Sequence, residues 1–251
     1  MRKRYELLDS LRGLVLISMI LYHGTWDLVY LFGRKWSWYH GTEAYIWQQS
    51  ICKTFILLSG FCWSMGKKPL KRGLVVFGSG MIITLATMLF MPESRVIFGV
   101  LTLIGSCMLL MIPLDRILKK LSPAVGLMGS LLLFVLTRNI NDRYLGFERF
   151  NLLPLPDTLY HGLFMTYLGF PYRGFYSTDY FSLFPWLFLF CAGYFLYHLL
   201  QSKRCAILWE KVFVRGFYPL SFLGKHSLMI YMLHQPVIYG VLMGFDLLGI
   251  L

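Results

Sequence analysis

The chain is poor in charge, and what charge it has leans to one sign. Asp, Glu, Lys and Arg make up only 14% of its 251 residues, against 57% hydrophobic and 18% aromatic, and acidic side chains number 12 against 24 Lys and Arg. Soluble domains carry charge on about a quarter of their residues, so an ordinary water-soluble globule is excluded. A disordered chain is excluded by the same oily background. Cysteine is also scarce and unpatterned. The five, Cys52, Cys62, Cys107, Cys191 and Cys205, show no CxxC spacing and no Cys/His cluster. That excludes a disulfide framework and a zinc site and leaves them as small apolar residues. There is no internal repeat and no stretch polar enough for a separate soluble domain. A formal charge of +12 would suggest nucleic acid in a soluble protein. Here the question is where along the chain the cations sit.

What is abundant is the long apolar run. A spanning helix needs about 20 mostly apolar residues, and seven segments are candidates, the fifth of them short: 13–32, 44–65, 74–91, 96–114, 123–137, 181–200 and 227–247. The first follows a basic stretch without a small-residue cleavage signal, so it is expected to stay as a helix. The cations sort themselves between these runs. Sixteen of the 24 Lys and Arg fall on the side that holds the N-terminus, seven on the other, and Lys53 lies within a span. Loops rich in Lys and Arg face the cytoplasm, so the expected fold is an all-α integral membrane protein of about seven transmembrane helices, N-in and C-out. The whole chain, 1–251, reads as one transmembrane domain. Once the acids are subtracted, the +12 belongs to the cytoplasmic face, where it suits anionic headgroups rather than nucleic acid. The outer side holds one long segment, from Arg138 to Asp179, rich in Pro, Gly and aromatics. It is expected to be either re-entrant or interfacial, packed over the outer mouth, or a structured loop without a functional role. On the inner side, residues 205–225 are expected to form an interfacial helix with Lys211 and Arg215 on one face.

Ionisable groups inside a membrane are expensive and so mark function. His23 lies eleven residues after Arg12, a rise of about 16 Å, which puts it near the midplane. Asp27, four residues on, shares its face and is placed to hold the histidine tautomer or stabilise the imidazolium. Lys53 falls at a similar depth in the second span, with Gln49 one turn away. The spacing allows two uses for that lysine: a cation that keeps His23 neutral as a base, or a structural ion pair with Asp27. His234 and Gln235 fall mid-span in the last helix, before Pro236. They either line the same polar cavity or satisfy one another. His40 sits in the tryptophan-rich outer loop WSWYHGTE. No HExxH, Walker loop or GxSG protease motif is present. A seven-helix receptor would be N-out, and a retinal protein would need a lysine that Lys225 only approaches.

Several of these residues carry a resemblance. Arg4-Tyr5-Glu6-Leu7-Leu8-Asp9-Ser10-Leu11-Arg12-Gly13, continuing to Met19 and His23, resembles the opening signature of the transmembrane acyltransferases. That group includes the acyltransferase-3 and heparan-α-glucosaminide N-acetyltransferase families. Leu58-Ser59-Gly60-Phe61 resembles an acyltransferase-3 element. Gly169-Phe170-Pro171 through Tyr180 before Pro185-Trp186, Leu223-Gly224-Lys225-His226-Ser227-Leu228 and Leu233-His234-Gln235-Pro236 are similar to the small bacterial DUF1624 branch. The resemblance implies transfer of an acyl group, acetyl in the first place, from cytoplasmic acyl-CoA to a sugar or glycolipid acceptor on the far side. It implies a multi-pass protein of the bacterial cytoplasmic membrane, with no metal and no nucleic-acid partner. A homo-oligomer stays open. Arg12 matches the inner-boundary arginine, and His23 matches the histidine of the acyltransferase-3 branch. In the heparan branch the catalytic histidine lies in the next outer loop, where His40 is the nearest match.

The resemblance and the chemistry combine into one expected site. His23, Asp27 and His40 are its catalytic candidates, Arg12 and Lys53 face the acyl-CoA, and Gln49, His234 and Gln235 face the acceptor. Cationic side chains hold CoA phosphates, a neutral histidine removes a proton or is transiently acylated, and Lys53 or Gln49 meets the oxyanion. The competing reading is a transporter or exporter of a small solute or lipid-linked glycan, built on the same midplane groups. The lack of inverted repeats weighs against it.

Overall fold

A computed structural model of the chain describes residues 5–201 and 216–250. Helices form at all seven expected segments: α1 (Glu6–Tyr30), α2 (Thr42–Trp63), α3 (Pro69–Phe90), α4 (Val100–Leu118), α5 (Pro123–Leu136), α7 (Leu183–Leu200) and α9 (Ser227–Leu247). Two shorter helices, α6 (Gly162–Leu168) and α8 (Tyr218–Lys225), complete the set of α-helices among the described residues. Their starts follow local chemistry. Pro69 and Pro123 open α3 and α5 at positions whose N–H groups need no helical partner. The Ser122 hydroxyl caps α5 by accepting from Val125 N at 3.3 Å.

Five helices, α1, α3, α4, α7 and α9, are long and apolar enough to cross a membrane. That is fewer than the seven expected. α2 contains Gln48, Gln49 and Lys53 and is not among the five, and α5 runs only 14 residues. The apolar surface of the five points outward as well as in. On α3, Ile82, Leu85 and Leu89 are 58%, 57% and 75% exposed, which suits contact with lipid tails. Among the described residues the all-α expectation has one exception, an antiparallel hairpin of β1 (Tyr144–Phe147) and β2 (Phe150–Pro154).

The chain divides into two compact units. The first comprises residues 1–55 with 203–251, as far as they are described. Its α1 approaches α8 so closely that a Cβ on Gly224 would stand 1.8 Å from the Asp9 carbonyl oxygen. The contact is polar as well as tight. Ser10 and Ser221 hydroxyls meet at 2.8 Å, and Ser221 donates to the Glu6 carbonyl at 2.9 Å. Val15, Leu16 and Met19 of α1 pack on Ile51 of α2, and Trp47 Nε1 donates to Ser18 Oγ at 2.8 Å. The expected inner helix is present over its last third as α8, whereas Lys211 and Arg215 lie outside the described residues.

The second unit, residues 56–202, packs α3 on α4 and α5 and α4 on α7. Its core centres on Cys107 and Met111 of α4 and Phe190 and Tyr194 of α7, all buried. Tyr194 donates to Asp115 Oδ1 at 2.6 Å, and His198 pairs with Ser64 Oγ at 3.3 Å. Gly60 of α2 lies against the Phe190 carbonyl, with 1.9 Å left for a Cβ. The outer segment is structured. It folds as the hairpin plus α6, pinned by buried hydroxyls and an amide. Asn141 donates to the Gly169 carbonyl at 3.0 Å, Tyr160 to the Ile140 carbonyl at 2.6 Å and Tyr180 to the Thr166 carbonyl at 2.5 Å. Asp179 accepts from Val100 N, at the start of α4, at 3.3 Å. Desolvation there pushes its carboxyl up to about 6, and the Val100 N–H opposes the shift.

Two outcomes are expected from these contacts. Gly60→Ala forces α2 off α7 and lowers stability by about 1–3 kcal/mol, whereas Gly78→Ala, with nothing within 4 Å of its Cβ, leaves it unchanged. Thermal unfolding in detergent compares the two. Because the native state keeps the Asp179 proton above the usual carboxylate range, stability falls as pH rises towards about 6 and is level beyond it. Asp179→Asn removes that portion of the slope of melting temperature against pH.

Candidate active site

The first unit gathers four of the expected residues on two helices. Asp27 of α1 is fully buried and takes its hydrogen bond from Gln235 of α9, Nε2 to Oδ1 at 2.6 Å. One turn back on α1, the His23 ring lies edge-to-face with the His234 ring, centroids 4.8 Å apart. His234 in turn holds the carbonyl oxygen of Tyr231 through Nδ1 at 2.6 Å. The two helices contribute by different local logic. His23 and Asp27 are i and i+4 on α1, so they share a face. His234 and Gln235 precede Pro236, which has no N–H for the Met232 carbonyl and crowds that turn.

Three atoms of this cluster are buried and lack a hydrogen-bond partner among the described residues: Asp27 Oδ2, Gln235 Oε1 and His234 Nε2. All three are acceptors. A carboxylate oxygen only accepts, so Gln235 must turn its amide nitrogen to Asp27 and leave the carbonyl oxygen over. A carbonyl oxygen likewise only accepts, so His234 must carry its proton on Nδ1, and Nε2 keeps the lone pair. The site is therefore rich in acceptors and short of donors. It suits a ligand that brings O–H or N–H groups.

The other candidates are placed differently. Asp27 takes its hydrogen bond from Gln235, a longer side chain that reaches it from α9. Arg12 sits below the cluster on α1 and pairs with Asp9 at 3.5 Å, its side chain 25% exposed. Lys53 and Gln49 are half-buried on α2. His40 is exposed at the end of the turn Ser37–His40, with Nδ1 at 3.4 Å from Tyr30 OH.

Sequence reasoning passed over the tyrosines. The Tyr22 ring lies 5.9 Å from His23 and 5.6 Å from Tyr39, which itself lies 6.3 Å from His40. A wall of rings thus runs between the two histidines that competed for the catalytic role. Tyr39 is buried although its neighbours in the loop are exposed, and burial pushes its hydroxyl well above the usual phenol range, so it stays a neutral donor. The signal available was the density of aromatics around both histidines, which an interfacial belt produces equally well.

The Asp27–Gln235 bond makes a specific energetic prediction. Gln235→Leu leaves a buried carboxylate with no donor and is expected to destabilise by about 3 kcal/mol or more. The double variant Asp27→Leu/Gln235→Leu, with both polar partners gone, recovers most of that loss. Melting curves of the two variants, with wild type alongside, read the difference.

Comparison with known proteins turns on the family. No curated protein and no solved structure matches the chain. The sequence profile of the heparan-alpha-glucosaminide N-acetyltransferase catalytic domain matches residues 4–236, nearly the full length and every residue of the cluster. The chain therefore belongs to the heparan-alpha-glucosaminide N-acetyltransferase family, acetyltransferases of glycans, and carries this membership on helices apolar enough to cross a membrane.

Proposed function

We propose that the chain takes an acetyl group from acetyl-CoA at the cytoplasmic face and transfers it to a hydroxyl or amine of a sugar or glycan at the outer face. His23 is its principal catalytic residue. The observation that supports this most directly is the cluster of His23, His234, Asp27 and Gln235. It is a set of proton-handling and hydrogen-bonding groups enclosed by helices of membrane-crossing length, in a chain of acetyltransferase family. His23 lies near the middle of the apolar run 13–32, about two-thirds of the way along α1, which fits a reaction at a depth that a donor from one side and an acceptor from the other can both reach.

The orientation in this reading is N-in and C-out, supported by the concentration of Lys and Arg in the segments on the N-terminal side. α2 and α5 complete seven passes, and 1–251 acts as one domain in the cytoplasmic membrane of a bacterium. Arg12, with its partly exposed guanidinium, is suited to a CoA phosphate. Lys53 and Gln49 are suited to the oxyanion that forms at the thioester carbonyl. His234 and Gln235 present acceptor atoms to the sugar. The Tyr and Trp rings around Tyr22 and Trp38 suit sugar faces. His40, exposed at the outer end, has a lesser part, in acceptor approach.

His23→Ala is expected to give a folded, membrane-inserted protein that binds acetyl-CoA and loses transfer by about 100-fold or more. Release of free CoA thiol in the presence of glucosamine measures turnover, and calorimetry measures binding. If His23→Ala keeps full activity while His40→Ala loses it, the catalytic role passes to His40. If wild-type protein binds no acetyl-CoA at about 1 mM, the transporter reading replaces this one.

A further inference from the structure

We infer that His234 is the proton-accepting residue of the transfer, with Nε2 as the accepting atom. The inference rests on the acetyltransferase reading above and divides its chemistry between two histidines. The starting point is the tautomer. The Tyr231 carbonyl 2.6 Å from Nδ1 can only accept, so the neutral ring is protonated at Nδ1 and carries its lone pair at Nε2. The fold thus fixes what a general base requires: a defined lone pair on a ring that is held in place. The contacts of His23 are edge-on to the rings of Tyr22 and His234, and such contacts fix no tautomer.

The surroundings of Nε2 point the same way. It is buried and lacks a donor among the described residues, and so are Asp27 Oδ2 and Gln235 Oε1. Asp27 and Gln235 are joined by the 2.6 Å hydrogen bond, and His234 is the chain neighbour of Gln235. Three unsatisfied acceptors gathered on one pair of helices are costly unless a ligand supplies donors. A sugar brings several hydroxyls, or an amine with more than one N–H. One of these donates to Nε2 and others reach Asp27 and Gln235, which orient the acceptor for attack.

The step balances without further reactants. Nε2 takes the proton of the acceptor hydroxyl or amine as its oxygen or nitrogen forms a bond to the thioester carbonyl carbon. The C–S bond then breaks, and Nε2–H returns the proton to the departing sulfur. His234 is unchanged at the end, the acceptor is acetylated and the donor leaves as a thiol. The Asp27 carboxylate, beside Gln235, offsets the charge of the transient imidazolium. In this division His23 faces the acyl group, against the edge of the base.

His234→Asn tests the assignment, because the asparagine amide keeps a donor for the Tyr231 carbonyl where Nδ1 was and removes Nε2. Turnover is read as CoA thiol released from acetyl-CoA with glucosamine as acceptor, next to melting temperature and acetyl-CoA binding. The expected result is a wild-type melting temperature, an acetyl-CoA affinity within about twofold, and kcat lower by about 100- to 10,000-fold. The pH profile should lose the limb that wild type owes to the base, and added imidazole should restore part of the activity of His234→Ala. A His234→Asn protein that turns over within about threefold of wild type overturns the assignment and leaves the acetyltransferase reading standing. Loss of acetyl-CoA binding or of thermal stability, with no imidazole rescue of His234→Ala, also overturns it, since a structural role produces that pattern. If the wild-type protein binds acetyl-CoA but acetylates neither amine nor hydroxyl, both the acetyltransferase reading and the assignment fall.

Discussion

A carboxyl group with no exposed surface, on a helix long enough to cross a membrane, must find a hydrogen-bond donor inside the protein. Asp27 finds it in Gln235, and much of the first unit follows from that requirement. Leaving a charged or strongly polar group unpaired in an apolar setting costs several kcal/mol, so α1 and α9 have little freedom to slide. Their register then brings His234 against His23, since His234 precedes Gln235 and His23 sits one turn before Asp27. The bond satisfies only one of the two carboxylate oxygens. What it leaves over is the acceptor surface on which the proposed chemistry depends. Structural need and chemical use thus meet in one residue pair.

The remaining contacts answer a different constraint. Between helices surrounded by lipid, the hydrophobic effect gives little drive for association, and close packing with hydrogen bonds has to replace it. Both units rely on that device. In the first, Gly224 admits the Asp9 carbonyl and the Ser10–Ser221 pair adds a hydroxyl contact. In the second, Gly60 admits the Phe190 carbonyl, and Tyr194 reaches Asp115. The polar groups of these contacts are small or reach only one partner. The cluster around Asp27 is the exception, with more acceptors than the fold itself can satisfy.

Much of this was legible in the sequence, for physical reasons that can be named. Apolar runs of this length predict helices because a single segment in a membrane satisfies its own backbone groups only as a helix, and each of the seven segments is a helix. The i, i+4 spacing of His23 and Asp27 placed them on one face. What the sequence could not supply was the partner. Gln235 lies 208 residues from Asp27 along the chain, and no local periodicity encodes that pairing. The outer segment was hidden for a similar reason. Its hairpin is held by Asn141, Tyr160 and Tyr180, whose bonds to distant carbonyls follow no repeat. Hydropathy also says nothing of how a helix is sheltered. α2 has the length of a span, yet Gln48, Gln49 and Lys53 set it apart from the five more apolar helices.

The helix that carries His234 shows why mean hydropathy identifies a span yet hides a site. On α9 the more sheltered positions include Tyr231, His234, Gln235 and Ile238, at the spacing of one helical face. Leu233, Val237 and Val241, on the other side, are 53%, 59% and 51% exposed. This inverts the pattern of a helix in water, where the apolar stripe turns inward and the polar face meets solvent. In lipid the outward face must be apolar to insert, and that demand alone satisfies a hydropathy scan. The inward face is then free to be polar, provided each group has a partner there or receives one from a ligand. His234 and Gln235 occupy that face. Their unsatisfied acceptors are tolerated because α9 puts apolar side chains, rather than these two, against the membrane.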